Sequence, residues 1–257
     1  LDRYVALDVV RRLHEEIEIS PTSLVSTLLL ESPGGLSWAR ITHQVEWLTE
    51  QVSQRGGRLI HSRLCSAEAA RKGVNLLGDH VSWSQESKIL SVRKEESVQV
   101  TGPLPPIDRT SALMLAYYRN TLSHLFVAEA FGATVVSSFG ETAAVEKGVS
   151  PSDGLFTERM ESLRQAFRYE FVGLDTADDA VVSALQKNGV MQPAADDGGD
   201  AIKVASARSM LLLTVMLAPF IECYWFLATQ LEKLTADGGI KARDLILAFF
   251  KLSQSNR

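Results

Sequence analysis

The stretch "HVSWSQESKILSVRK", residues 80–94, interrupts a chain that otherwise repeats its apolar positions at helical spacing. Val81 and Trp83 alternate with small polar residues, and β-branched Ile89 and Val92 follow a polar tip. That pattern predicts a β-hairpin. Working back from it, Ser66 to Leu77 reads as a short helix. Ser37 caps a longer one carrying Ile41, Val45, Trp47, Leu48 and Val52, closed by "RGG" at 55–57. Before these, "SPTSLVSTLLLES" (20–32) places a capping serine, a first-turn proline and an apolar run in order. Helix, helix, helix, hairpin is the order of a winged-helix module.

Further back, Tyr4 to Leu13 form an amphipathic pattern. Beyond the hairpin, "TGPLPP" (101–106) reads as a stiff linker. Two helices are expected next, 110–130 and roughly 132–147. "GVSPSDG" (148–154) breaks the chain before helices in 155–172 and 176–191. "QPAADDGGD" (192–200) reads as a polar loop. A long apolar helix over about 203–234 and a last one in "KARDLILAFFKLSQ" (241–254) complete the pattern. The expected fold is therefore mainly α, with a winged-helix-like N-terminal module and a small hairpin. The expected division is a module over 1–100, a linker with helices over 101–147, and a second helical module over 148–257. The chain opens without Met and reads as part of a longer protein.

With 46% apolar and 22% charged residues among 257, the composition is that of a folded chain with a sizeable core. A formal charge of −5 argues against a general polyanion binder. Residues 55–94 run the other way, with eight basic residues against Glu68, Asp79 and Glu86. Those charges are scattered, so a winged-helix nucleic-acid or protein-interaction module stays only an alternative, and no nucleic acid is expected as partner. Cys65 and Cys223 form neither a C-x-x-C pair nor a disulfide framework. The nucleophile elbow, P-loop, dinucleotide fingerprint and H-E-x-x-H are absent, so no metal or cofactor is expected.

Two segments carry the remaining chemistry. In "ALMLAYYRNTLSHLF" (112–126), Ala116, Asn120 and His124 share a helical face, beside a stripe holding Arg119. Tyr117, Tyr118, Arg119, Asn120 and His124 are thus candidates for a buried polar network or for an anion site led by Arg119. In "SMLLLTVMLAPFIECYWFLATQ" (209–230), Met210, Leu213, Trp225 and Phe226 are candidate membrane contacts. Its length suits a bilayer span, but Glu222 and Pro219 argue for a buried or interfacial helix. Lys203 and Arg208 lie close by in sequence.

Several pieces together resemble glycerol-3-phosphate acyltransferases downstream of their catalytic domain, and the related dihydroxyacetone-phosphate acyltransferases. They are "ISPTSLVSTLLL", "GLSWARITHQVEWLTEQVSQRGG", "ALMLAYYRNTLSHLFVAEA", "FRYEFV", "KNGVM" and "LAPFIECYWFLATQL". The resemblance implies a parent enzyme moving an acyl group from acyl-CoA or acyl-carrier protein to the sn-1 hydroxyl of glycerol 3-phosphate, the first step of phospholipid synthesis. It implies an upstream catalytic domain and a membrane surface as partners. The implied location is cytosol-facing, on the mitochondrial outer membrane or endoplasmic reticulum, with the peroxisome as alternative. The family's catalytic motif is His-x-x-x-x-Asp. Here the five histidines are followed at that spacing by Ile19, Leu48, Ser66, Gln85 and Glu129, never by Asp. The family's "FPEG" motif is missing too, and "GLFTER" falls one residue short of its G-x-x-F-x-x-R. No catalytic residue is therefore assigned, and the chain by itself is expected to be inactive.

Overall fold

The computed structural model describes residues 5, 8–10, 12–13, 16–60, 62–94, 107–171, 174–194 and 199–235, with side chains to residue 229. The expected N-terminal helix is helical at its described positions. The linker 101–106 and the helix expected over 241–254 lie outside the described residues.

Helix α1 (Pro21–Glu31) starts where Ser20 Oγ accepts from Ser23 N at 3.2 Å. It is buried from Pro21 through Leu29, so every side of it meets protein, which its uncharged run of aliphatic and small hydroxyl residues allows. Helix α2 (Trp38–Gln54), capped by Ser37, turns Ile41, Val45, Leu48 and Val52 inward. Helix α3 (Ser66–Leu77) lies so close to α1 that a Cβ on Gly73 would come within 2.5 Å of the Pro21 carbonyl oxygen. Glycine is the residue that permits this approach.

The expected hairpin forms from β4 (Val81–Ser84) and β5 (Ile89–Val92). Strand β2 (Leu36–Ser37), between α1 and α2, adds to it, pairing Leu36 with Leu90 and Ser37 with Ile89. The antiparallel order is β2-β5-β4, which completes the winged-helix arrangement. A two-residue parallel pair, β1 (Glu18–Ile19) with β3 (Arg58–Leu59), was not foreseen.

Helix α4 (Arg109–Ser138) corrects the expectation of two helices. It runs through Gly132 without a break, and only a π-type turn follows at Thr142–Lys147. Gly132 is there for packing: a Cβ would meet Val181 Cγ1 at 2.7 Å and Leu185 Cδ1 at 2.8 Å on helix α6 (Asp178–Lys187). The first half of α4 packs on α1, and its second half on α5 (Gly154–Ala166) and α6. Phe131, Phe167 and Phe171 meet edge to face there, with ring centroids 5.9 to 6.2 Å apart.

The polar loop expected at 192–200 is a hairpin at its ends. Strand β6 (Met191–Pro193) pairs antiparallel with β7 (Ile202–Val204). Asp200 steadies the neighbouring turn by accepting from Ser150 Oγ at 2.7 Å and Ser152 N at 3.1 Å. The apolar helix α7 (Ala207–Thr235) therefore starts after β7, later than expected. Residues 1–216 form one compact unit, and residues from 217 onward form a second.

Candidate functional site

The five candidate residues on α4 point in different directions. Arg119 faces inward, only 7% exposed, in line with Leu115, Leu122 and Phe126. Asn120 is exposed, Tyr117 is 66% exposed, and Tyr118 and His124 are half-buried. Arg119 Nη2 donates to Asn120 Oδ1 at 3.3 Å, and the Tyr117 and Tyr118 rings meet edge to face at 5.5 Å. The face shared by Asn120 and His124 is thus not the face of Arg119.

What Arg119 faces is a group the sequence did not single out. Glu31 ends α1, and its Oε1 is sealed from solvent without a hydrogen-bond partner. Burial pushes this carboxyl from the ordinary 4.5 up to about 7, while the guanidiniums of Arg208 and Arg119 pull the other way. The C-terminal end of a helix adds a further disincentive to negative charge. Burial also holds Arg119 and Arg208 below the usual guanidinium range, with Glu31 opposing the shift for both. Arg208 Nη2 is likewise buried and unpartnered, and the guanidinium lies 3.8 Å from the centroid of the Trp47 ring. An open cleft of about 500 Å³ reaches these groups, with Arg40, His43 and Gln44 of α2 on its wall. Only a faint signal pointed to Glu31: it is the single acid closing an uncharged run from Ser20 to Leu30.

A second buried carboxylate behaves differently. Glu129, the near miss five residues after His124, is gripped by Arg55, whose Nε and Nη2 donate to Oε1 and Oε2 at 2.8 and 2.7 Å. Asn188 Nδ2 adds a bond at 2.9 Å, and Arg55 Nη1 donates to the Gln51 carbonyl and side chain. The two charged side chains are 4% and 6% exposed. Arg55, one of the eight basic residues of 55–94, is therefore an internal residue tying α2 to α4 and α6.

Elsewhere, His80 Nδ1 lies 3.2 Å from Ser111 Oγ, and Ser111 is 1% exposed. Among the described residues, no group of three His, Cys, Asp or Glu side chains gathers to hold a metal. Residues Ala207–Thr229 are long and apolar enough to cross a membrane. Met210 and Leu213, expected as membrane contacts, are instead buried at 7% and 0% exposure, because the first turns of α7 complete the core. Leu211 and Trp225 are exposed, and Phe226 is half-buried.

The family model described as "Glycerol-3-phosphate acyltransferase C-terminal region" matches residues 3–255. The chain is 26% identical over 239 residues to a protein named as an acyltransferase, plsB1, of Mycobacterium tuberculosis and of Mycobacterium bovis. That match covers 88% of this chain and 35% of the relative. A glycerol-3-phosphate acyltransferase of Aeromonas hydrophila is 26% identical over 162 residues, 59% of this chain and 19% of that protein. The chain thus spans about a third or less of the length of these relatives. Helical architecture and whole-chain match agree: this chain belongs to the glycerol-3-phosphate acyltransferase C-terminal region family.

Proposed function

We propose that the chain is the non-catalytic helical portion of a glycerol-3-phosphate O-acyltransferase, supporting the catalytic domain and its association with a membrane. The observation that carries this is a family match over residues 3–255 in a chain where no histidine is followed by the His-x-x-x-x-Asp aspartate. A positioned general base contributes about 10²- to 10⁴-fold to such a reaction, and this chain names none. The buried, cross-linked helices α1, α2, α4 and α6 suit a buttress. Exposed Leu211 and Trp225 favour contact with a lipid surface.

The purified chain is expected to give no turnover of glycerol 3-phosphate with acyl-CoA or acyl-carrier protein; measurable product refutes the non-catalytic role. It is expected to float with liposomes containing anionic lipid. Failure to float removes the membrane part of the reading and leaves the buttress.

A further inference from the structure

We propose that the cleft between α1, α2 and the start of α7 is a binding site for a phosphate-type oxyanion, held by Arg40 and Arg208, with Glu31 as the internal competitor for the same positive charge. Helix α2 brings Arg40 and His43 to its wall and α7 brings Arg208, while Glu31 of α1 is the one acid among its described lining residues. Arg119 adds positive charge behind Glu31. The space of about 500 Å³ leaves ample room for a phosphate group.

Arg208 is prepared for such a ligand. Trp47 holds its plane at 3.8 Å, and Nη2 is sealed with no acceptor. A guanidinium fork fixed in this way matches two oxygens of a phosphate. Glu31 Oε1 is equally without a partner, so carboxyl and guanidinium sit together with bonds unmade, an arrangement that costs free energy. An oxyanion entering between the two side chains, both turned toward the cleft they line, resolves both. Arg208 donates to it, and a protonated Glu31 donates its own O–H to the same group. Binding therefore takes up one proton at Glu31. The other titratable group on the wall is His43 of α2, exposed at the cleft. The inference does not rest on the acyltransferase reading.

Isothermal titration of the 257-residue chain with sulfate tests it, since sulfate keeps its charge across the range. Sulfate is expected to bind about tenfold more tightly at pH about 6 than at about 8. Arg208→Gln, and separately the exposed Arg40→Gln, which leaves the core untouched, should each weaken binding about tenfold. Glu31→Gln should flatten the pH dependence, and His43→Gln should retain it. Inorganic phosphate, and phosphatidylcholine vesicles with phosphatidic acid, separate two sources of the ligand. Displacement of sulfate by the vesicles assigns a lipid headgroup, and displacement by inorganic phosphate alone assigns a soluble ion or ester. Absence of sulfate binding, binding indifferent to both arginine substitutions, or pH dependence that vanishes with His43→Gln instead of Glu31→Gln overturns the proposal.

Discussion

Glu129 and Glu31 are both carboxylates drawn into the helical core, yet they are opposites. Glu129 meets three donors from Arg55 and Asn188, and both of its oxygens are bonded. Glu31 has two arginines near enough to act through space, but its Oε1 bonds to neither. The first arrangement is what a fold requires when it buries charge for structural reasons, because an isolated buried ion costs more than its attraction returns. The second leaves binding capacity unspent beside an open cleft. Unmet hydrogen-bonding groups near a cavity are where a ligand gains most.

The contrast can be broken by substitution. Glu129→Ala strands Arg55 in the core and is expected to cost about 3–5 kcal/mol in urea unfolding. Replacing both partners by apolar residues, Arg55→Met with Glu129→Leu, should recover most of that loss. A near-neutral Glu129→Ala would end the claim that this pair is structural. Next in size is Glu31→Gln. The folded chain holds the Glu31 proton more tightly than the unfolded chain, so wild-type stability should fall as pH rises from 4.5 through about 7 and then level off. The full shift corresponds to about 3 kcal/mol. The variant should lose this slope, matching wild type near the low end and exceeding it above the high end. Thermal melts across that window decide it, and a wild type whose stability rises instead places Glu31 with Glu129.

Arg119→Ala removes a buried stem and one of the charges that holds Glu31 down. About 2 kcal/mol of stability should go with it, together with a further upward move of the Glu31 midpoint. Unchanged melting, with a raised KM for the phosphate substrate in a full-length relative, would make Arg119 a ligand contact instead. The smallest effect belongs to exposed Arg40→Gln, within about 0.5 kcal/mol. A larger loss would show that the cleft wall is structural.

The sequence signals that proved legible were those fixed by local chemistry. Ser20 with Pro21 and Ser37 announce helix starts, because caps act within one turn. The hairpin at 80–94 shows in its alternation. The place of Gly132 inside α4 was not legible, since a glycine weakens a helix by propensity, and only the approach of Val181 and Leu185 explains it. Strands β6 and β7 have three residues each, too few for a period to appear. Arg55 and Glu31 were hardest. A charged residue at a helix end normally meets water, and what covers these two comes from residues up to 177 positions away, as with Glu31 and Arg208.

Helix α4 has one more consequence. Its 30 residues extend about 45 Å, with Arg119 engaged in its first half and Gly132 in its second. Each added residue turns everything beyond it by about 100°. A single insertion between those two positions would leave every side chain chemically intact and still aim half the helix at the wrong neighbours. For this segment the count of residues is as binding a constraint as their identity.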